Sequence, residues 1–298
     1  MSFLTNRAQF IKIGNNYSPT LNSQAGAPQG TRAGPNAFNV VINDLSVPLP
    51  TIKYVDDVSI ISVSNQPDNP ELQNSLYDLH RWCVTSGLCL NIDKTKELVI
   101  HFGKIFTTSS VPLLTLDGEP ISRIDSFKIL GIIVSSDLTW NAHVAYIVSK
   151  ACKRLYVVYQ LLRSGVAYHD IVTVYCSLIR PVLEYCCPVW HPGLTRANHD
   201  EIESVQRRVL KLIFPQLSYH DALFVAGLEK LETRRQRLSV KVFNQIKSDK
   251  HILNKLLVRR EFNSGVMNFR AQYPYILPRL KTDRAAKSLI WYGTKNKW

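Results

Sequence analysis

The apolar positions of the first ninety residues switch between helical and strand spacing. Residues 35–45 carry apolar side chains at helical spacing behind a proline suited to a first helical turn, which predicts a buried helix. Two β-branched runs, 51–55 and 58–63, then predict a hairpin. Helical spacing returns after the capping signal at 68–71, and Gly87 ends this second helix. The positions that define the two helices are Phe38, Val41, Ile42 and Leu45 in the first, and Leu72, Leu76, Leu79 and Cys83 in the second.

Further strands are expected before residue 140. Residues 88–92 and 97–102 predict a strand pair joined by a short turn, and Asp117-Gly118 is a strong turn signal. Residues 126–134 predict another strand, with a glycine, Gly131, where another group approaches closely. The first part of the chain is therefore expected to combine an antiparallel sheet with helices, in an α+β arrangement.

Beyond Trp140 the pattern becomes helical. Residues 171–179 and 202–213 keep helical spacing, the second run behind an Asn198-x-x-Glu201 capping signal. From residue 216 onward the apolar face is interrupted and basic side chains lie beside it; its members are Leu231, Leu238, Val242 and Ile246, flanked by Arg234, Arg235, Arg237 and Lys241. We place a domain boundary near residue 140.

Asp56 and Asp57 lie side by side at the predicted tip of the first hairpin. Two carboxylates about 4 Å apart repel each other by roughly 4 kcal/mol at an effective dielectric constant near 20, and tight hairpin turns normally favour Asn-Gly or Asp-Gly. A bound cation would remove this repulsion. A solvated acidic turn also explains the pair, because like charges in open water cost little, so the rest of the chain has to decide between the two.

The composition is that of a globular protein: the chain has 298 residues, of which 45% are hydrophobic and 20% charged. This length allows two domains, or one domain with a helical extension. No apolar run reaches the roughly 18 residues that a membrane span needs, and the first residues lack the layout of a secretory signal. We therefore expect a soluble intracellular protein that does not enter a membrane, in the nucleus or the cytoplasm.

The six cysteines lie in or beside apolar segments and form no C-x-x-C pair, so in a reducing compartment they are expected to be small buried hydrophobes. A zinc site is a weaker alternative, since the spacing of the candidate ligands fits no standard structural pattern. Those candidates are Cys176, Cys186, Cys187, His191 and His199.

The net charge of +13 is concentrated in the C-terminal third. Residues 1–206 hold 16 Lys and Arg against 17 Asp and Glu, a balance of −1, whereas residues 207–298 hold 20 against 6, a balance of +14. Such a concentration favours a polyanionic partner, nucleic acid before an anionic membrane. A solvated helix face with a basic tail remains the alternative.

The last forty residues alternate basic and aromatic positions, a composition that suits stacking on single strands together with phosphate contacts. It equally suits a loosely folded basic tail. The aromatic residues of this segment include Phe269, Tyr273, Tyr275, Trp291, Tyr292 and Trp298.

Several short motifs occur together in one order. They are 26–30 with Gly34-Pro35, 42–45, 54–57, 90–96 and 127–134. In this order and spacing they resemble the reverse transcriptases of non-LTR (LINE-type, jockey-like) retrotransposons, and residues 178–192 resemble the segment downstream of the polymerase core in those elements. The resemblance covers roughly residues 3–215. It implies an RNA-directed DNA polymerase that acts on an RNA template, a DNA primer or RNA/DNA duplex, and deoxynucleoside triphosphates.

The resemblance also implies a metal site. Asp56 would hold catalytic Mg²⁺, with Mn²⁺ as a possible substitute, and Asp57 would assist beside it. Lys94 would approach the leaving pyrophosphate as an acid or a point charge, although it also fits a plain turn lysine between two strands.

Other residues would contact the nucleic acid. Gln29, Gly30 and Tyr54 match positions that contact the template strand and the incoming nucleotide, although the first two also fit an ordinary helix-entry turn. Leu130 and Gly131 match the hairpin that grips the primer. The helices after residue 140 would be the thumb, holding duplex through sequence-independent phosphate contacts.

The implied organisation is a partial reverse transcriptase palm at 1–139, a helical thumb or connection at 140–215, and a basic C-terminal extension at 216–298. The family pattern D-x-x-x-A-F-D, which carries the first catalytic aspartate, does not precede Gln29. We therefore expect the fingers and that carboxylate to be missing, and the chain to be a weak or inactive polymerase. The competing interpretation is a non-catalytic protein that binds RNA or DNA.

Overall fold

A computed structural model of the chain describes residues 7–23, 33–102, 111–260, 274–277, 279 and 283–298. The chain divides into two compact units. The first, here the hairpin unit, is Met1–Glu97 with Gly103–Arg123, and the second, the helical unit, is Leu98–Phe102 with Ile124–Trp298. The mixture of helices and short strands confirms the predicted α+β class.

The strands pair two at a time, and within the described ranges no ladder has a third strand. The strands are β1 (Arg7–Gln9), β2 (Lys12–Ile13), β3 (Asn16–Tyr17), β4 (Leu21–Ser23), β5 (Thr51–Tyr54), β6 (Asp57–Ile60), β7 (Lys96–Glu97), β8 (Thr115–Leu116), β9 (Glu119–Pro120), β10 (Ser122–Arg123), β11 (Ser126–Ile129) and β12 (Ile132–Ser135). The antiparallel pairs are β1–β4, β2–β3, β5–β6, β8–β9 and β11–β12, and β7–β10 is parallel.

Among the described residues the α-helices are unevenly distributed, with two in the hairpin unit and the others in the helical unit. They are α1 (Ala33–Asn43), α2 (Pro70–Thr85), α3 (Asn141–Arg163), α4 (Tyr168–Val174), α5 (Arg180–Glu184), α6 (Cys187–Trp190), α7 (Arg196–Ile213), α8 (Tyr219–Val225), α9 (Leu231–Ile246), α10 (Asp283–Ala286) and α11 (Leu289–Lys295). A π-helical turn, Tyr175–Ile179, joins α4 to α5. None of the described helices combines the length and the apolarity that a membrane crossing requires.

The hairpin unit buries two small clusters. α1, α2 and one face of the β5–β6 hairpin enclose the first, and α2 with the β8–β9 region encloses the second. α2 begins as predicted, because the Asn69 side chain accepts the backbone N–H of Leu72 at 3.2 Å and Pro70 occupies the first turn. Val41 was expected on the buried face of α1, but it is 40% exposed, so the buried stripe of this helix is narrower than predicted.

The predicted strand pair at 88–92 and 97–102 is wrong. Residues 88–91 carry no strand, residues 92–94 form a turn, and β7 pairs in parallel with β10 instead. The Arg123 Nε donates to Glu97 Oε2 at 2.8 Å between these two strands, and both side chains are largely buried. The pairing partner is thus a segment 26 residues away, which a local pattern does not indicate.

The predicted single strand at 126–134 is instead the hairpin β11–β12, whose turn is Leu130-Gly131. Both turn residues have positive φ, +46° for Leu130 and +87° for Gly131, as a type I′ hairpin turn requires. Leu-Gly lacks the usual Asn or Asp at the first turn position, which is why the local pattern predicted one strand and only the family resemblance implied a hairpin.

The helical unit is organised around one continuous core formed by α3, the α4–α5 segment, α6, α7 and the first residue of α9. Its fully buried side chains include Val144, Ile171, Tyr175, Ile179, Leu183, Trp190, Ile202, Val205, Val209 and Leu231. α7 begins with a capping box of Thr195 and Asn198, three residues before the predicted cap at Asn198. The helical character predicted for this region is confirmed.

Two features of the C-terminal part differ from expectation. Arg235, predicted beside an apolar face, is fully buried, with its guanidinium 5.7 Å from the Trp190 ring centroid.

Of the aromatic residues named above for the last forty positions, Phe269 and Tyr273 lie outside the described residues. Tyr275 is buried and Trp298 packs on Phe243 with a ring-centroid distance of 6.1 Å, so these two rings are part of a core.

Candidate active site

The two adjacent aspartates lie at the tip of the β5–β6 hairpin, as predicted. Tyr54 pairs with Asp57, so Val55 and Asp56 are the two residues of the turn and Asp57 is the first residue of β6. Both carboxylates are exposed. The strand pairing therefore fixes the backbone of the carboxylate pair within a two-residue turn.

The two faces of this hairpin have different surroundings. Lys53 and Val58 are a facing pair, and Val58 and Ile60 pack into the cluster formed with α1 and α2. Facing residues share one side of a ladder, and successive residues alternate sides. Tyr54 and Asp57 consequently lie on the opposite side, where the Tyr54 side chain is 59% exposed.

Lys53 ties the hairpin to the end of α1. Its ammonium donates to three backbone carbonyls at the C-terminus of this helix, those of Ile42 at 3.0 Å, Asn43 at 3.3 Å and Leu45 at 2.5 Å. Carbonyls at a helix C-terminus lack partners within the helix and carry partial negative charge, so a cation is favourable there. This contact fixes the position of β5 three residues before the carboxylates.

The turn itself is strained. Val55 has φ = +54°, a left-handed conformation that is unfavourable for a β-branched residue and costs of the order of 1–3 kcal/mol. Pairing of Tyr54 with Asp57 on one side and the Lys53 contacts on the other maintain this conformation. The strained residue stands directly before the first aspartate.

The carboxylate oxygens of Asp56 and Asp57 are chemically suitable ligands for a hard divalent cation. Carboxylate oxygens are the ligands that Mg²⁺ prefers, and Mg²⁺ at nucleotide-transfer sites is often held by one or two carboxylates with substrate phosphates and water. Neither Asp56 nor Asp57 makes a side-chain hydrogen bond or ion pair with any other described residue, so both remain available. Across the described residues no third His, Cys, Asp or Glu joins them.

Lys94 lies in a tight turn of the hairpin unit. The Asn91 side chain accepts the Lys94 backbone N–H at 2.9 Å, and the Asn91 carbonyl accepts the Thr95 hydroxyl at 2.8 Å. This arrangement explains the Asn-x-x-Lys-Thr spacing, because the asparagine and threonine close the turn that exposes the lysine. In the described part of the chain no hydrogen bond or ion pair joins the Lys94 ammonium to the hairpin. Gln29 and Gly30 lie outside the described residues.

Leu130 and Gly131, predicted to contact primer, belong to the helical unit and form the turn of β11–β12. The Tyr185 hydroxyl donates to the Leu130 carbonyl at 3.0 Å, and the Trp190 indole N–H donates to the Tyr185 carbonyl at 3.0 Å. A Cβ at position 131 would lie 3.1 Å from the Tyr185 ring. The close approach predicted at this glycine is confirmed, and the group that approaches is Tyr185.

Two of these residues were missed in the sequence, Lys53 and Tyr185. Lys53 had a recognisable signal, since a charged residue at a strand position that faces a helix must find a partner there. Tyr185 lies 55 residues from its partner Leu130, and no local pattern joins the two. Both side chains that hold these turns in place therefore do so through contacts with residues that are distant in the sequence.

The zinc alternative is not supported, because no three of its five candidate residues, all within the described ranges, come close enough to share an ion. The His191 Nε2 is 3.1 Å from the Gln236 Oε1, and His199 lies 3.7 Å from the Glu232 carboxylate. Burial lowers the pKa of His191 to about 4 and raises the pKa of the Cys187 thiol to about 12. Both side chains are neutral parts of the core at neutral pH.

The segment that contains the β5–β6 hairpin is similar in sequence to a known protein family. Residues 2–134 match the family model described as reverse transcriptase (RNA-dependent DNA polymerase). This range includes the β5–β6 hairpin, Lys94 and the β11–β12 turn. No solved structure matches the chain significantly.

Three of the similar curated proteins are named as transposon or mobile-element polymerases of Drosophila melanogaster. The chain is 26% identical to the probable RNA-directed DNA polymerase from transposon BS, and 24% identical to both the probable RNA-directed DNA polymerase from transposon X-element and the RNA-directed DNA polymerase from mobile element jockey. Each match covers 71% of this chain, which spans about a quarter of the length of these relatives.

Proposed function

We propose that residues 2–134 are a reverse transcriptase domain of the kind found in non-LTR retrotransposons, and that this chain takes part in RNA-directed DNA synthesis. The reaction is the transfer of a deoxynucleotide to a primer 3′ hydroxyl, directed by an RNA template. The observation that supports this proposal most strongly is a pair of exposed carboxylates at the tip of a hairpin inside the matched range, neither of which has a side-chain partner among the described residues.

Asp56 and Asp57 would hold the catalytic cation. When bound there, a divalent ion, Mg²⁺ or in its place Mn²⁺, would supply positive charge to stabilise the transferring phosphate and to activate the attacking hydroxyl. The aspartates supply oxygen ligands, and the Tyr54–Asp57 pairing with the Lys53 contacts holds these ligands on a fixed backbone. A cation bound between the two carboxylates would offset the repulsion between their negative charges.

The other predicted residues are assigned to the substrates. Tyr54, with Gln29 and Gly30, would contact the template strand and the incoming deoxynucleoside triphosphate. The exposed ammonium of Lys94 would stabilise the leaving pyrophosphate. Leu130 and Gly131 would contact the primer, at a turn whose conformation Tyr185 supports.

We further propose the domain organisation that the motifs imply. Residues 1–139 would be a partial polymerase palm, 140–215 a helical thumb or connection, and 216–298 a basic helical extension. The matched family range ends at residue 134, just before α3 begins at Asn141. That proximity supports a change of domain near residue 140.

Primer extension tests the catalytic role. The full chain would be given a DNA primer annealed to an RNA template, deoxynucleoside triphosphates and Mg²⁺, and incorporation would be measured with Asp56→Asn and Asp57→Asn beside the wild type. We expect the wild type to incorporate nucleotides slowly and each variant to lose at least about a hundredfold, since removing a metal-bound carboxylate removes charge at the reacting centre.

Asp68→Asn is the matched control, because Asp68 is an exposed carboxylate outside the hairpin. It should incorporate at the wild-type rate. Equal incorporation by wild type and Asp56→Asn would refute the assignment of the carboxylates.

A second candidate function is nucleic-acid binding without catalysis. The observation in its favour is that the described residues bring no third potential metal ligand to the two carboxylates. On this alternative the chain binds a labelled RNA/DNA duplex but does not extend the primer with either Mg²⁺ or Mn²⁺. Extension that depends on Asp56 would exclude it.

A further inference from the structure

The C-terminal halves of α3 and α7 carry basic side chains without acidic ones. α3 contains no Asp or Glu at any position, and residues 204–213 of α7 contain none either. The exposed cations on these segments are Lys150, Lys153, Arg163, Arg207, Arg208 and Lys211. The electrostatic field beside this part of the helical unit is therefore positive.

α3 and α7 lie side by side and run in the same direction. The Asn198 side chain donates to the Asn141 side-chain oxygen at 3.1 Å near the start of both helices, and an Arg208 guanidinium N–H lies 3.7 Å from the Cys152 sulfur further along. The two contacts are separated by nearly equal stretches of helix, about 15 Å at 1.5 Å per residue. The basic C-terminal halves are consequently neighbours.

Two tyrosines stand among these cations on the outer side of α3. Tyr156 is 65% exposed and Tyr159 is 44% exposed. Helical spacing places Tyr156 beside Lys153 and one turn beyond Cys152, next to the position of Arg208. We call the set formed by Lys153, Tyr156, Tyr159, Arg163, Arg208 and Lys211 the α3–α7 surface.

The described residues place no carboxylate against the cations of the α3–α7 surface. Among the described residues none of them forms an ion pair, whereas Arg180, Arg234 and Arg237 elsewhere in this unit do. An anionic partner would therefore not have to displace an existing carboxylate. The surface is about 15 Å long from Lys153 to Arg163, long enough to contact several consecutive nucleotides.

We propose that the α3–α7 surface binds an unpaired polynucleotide strand, with bases stacked on Tyr156 and Tyr159 and phosphates contacting the surrounding cations. Phosphate contacts alone would explain the basic residues but not the two exposed rings. Bases inside a duplex are stacked on one another and cannot lie on an aromatic side chain, whereas unpaired bases can. The combination of rings and cations thus favours a single strand over a duplex.

Fluorescence anisotropy with the full chain tests this proposal. The probes would be labelled 20-nucleotide oligouridylate, oligothymidylate and an RNA/DNA duplex of equal length, without divalent ions or nucleotides. Tyr156→Leu should weaken binding of the single strands roughly fivefold to a hundredfold and leave duplex binding unchanged, while Tyr156→Phe, which keeps the ring, should bind like the wild type.

The charge contribution is measured through salt dependence. The triple variant Lys153→Gln, Arg208→Gln, Lys211→Gln should reduce the slope of log affinity against log salt for single strands by about 2, since each phosphate contact contributes roughly 0.7. The controls are Lys250→Gln and Phe224→Leu, which change an exposed cation and an 85% exposed aromatic ring outside the surface. Neither should affect binding.

Three results would overturn the proposal: equal binding by Tyr156→Leu and the wild type, equal losses on duplex and on single strands, or a Tyr156-dependent preference for anionic phosphatidylserine vesicles over both oligonucleotides. A circular dichroism spectrum of each variant establishes that it folds. The proposal does not depend on the catalytic assignment. Asp56→Asn should keep full single-strand binding. A wild-type chain that binds single strands through Tyr156 but does not extend a primer would refute the catalytic assignment alone.

Discussion

The hairpin unit and the helical unit are stabilised in different ways. In the helical unit one continuous core contains many side chains with no exposure at all, whereas the two clusters of the hairpin unit are small and most of their buried members keep a few per cent exposure. Leu183, Trp190 and Val209 are at 0%, against Ile42 at 8%, Leu79 at 6% and Cys83 at 7%. Burial of apolar surface is the main stabilising contribution in proteins, so it contributes more in the helical unit.

The hairpin unit relies more on local polar contacts. The Lys53 contacts to the end of α1, the Asn69 cap and the Asn91 turn each fix a short segment. The carboxylates of the candidate active site are in this unit, beside a strained valine. The difference indicates that the site geometry is maintained by a few specific contacts, and that the helical unit is the more stable of the two.

The largest effect on stability is expected from removing a buried aromatic ring from the helical unit. Trp190 is fully buried, and Trp190→Ala should cost about 3–5 kcal/mol of stability, because it leaves a cavity and removes the hydrogen bond to the Tyr185 carbonyl. Hydrogen exchange measured by mass spectrometry would report the loss in peptides from α3 and α7, with little change in residues 51–60.

Leu79→Ala is the counterpart in the hairpin unit. It should increase exchange in residues 51–60 and leave α3 and α7 unchanged. If either substitution increased exchange equally in both units, the two units would unfold together and the comparison would fail.

A second test uses pH and concerns the helical unit alone. Burial lowers the pKa of both His143 and His191 to about 4. Between pH 6.5 and 4 the unfolded chain therefore binds protons that the folded chain does not, so stability falls as the pH falls through this window. Each histidine should contribute roughly 2 kcal/mol of loss between pH 7 and pH 4.5.

Denaturant unfolding at the two pH values measures this loss. In His143→Gln the amide oxygen can still accept the Ile133 N–H that His143 Nδ1 accepts at 3.3 Å, so the variant isolates protonation from packing. We expect the variant to lose less stability on acidification than the wild type. An identical loss in both would show that His143 protonation contributes nothing.

The smallest expected effect concerns the strained turn of the hairpin unit. Val55→Gly should stabilise the β5–β6 hairpin by about 1 kcal/mol, because glycine adopts φ = +54° without a side-chain clash. Hydrogen exchange of residues 51–60 would decrease slightly. The control is Val63→Gly, at an exposed position outside the turn, where the substitution should bring no such gain. Destabilisation by Val55→Gly would mean that the valine side chain matters more than its backbone strain.

Local chemistry made some elements predictable. The Asp117-Gly118 turn adopts positive φ at both residues, +51° and +84°, as its sequence indicates, and the Asn69-Pro70 start of α2 is explained by its own cap. By contrast, the parallel pairing of β7 with β10 and the burial of Arg235 depend on distant segments. The hairpin at Leu130-Gly131 was implied by the family resemblance but not by the local pattern, because its turn lacks a favourable residue at its first position and is supported by the distant Tyr185.

The sequence alone indicated three properties. They are the resemblance to non-LTR reverse transcriptases, the position of the two aspartates at a hairpin tip, and the helical nature of the C-terminal part. These properties depend on motifs and on short-range periodicity, which are local. The packed chain was needed to reveal that Lys53 holds the hairpin, that Tyr185 supports the second turn, and that the tyrosines and cations of α3 and α7 share one surface. Those relations arise when segments far apart in the chain come together, and packing partners are selected by the whole fold.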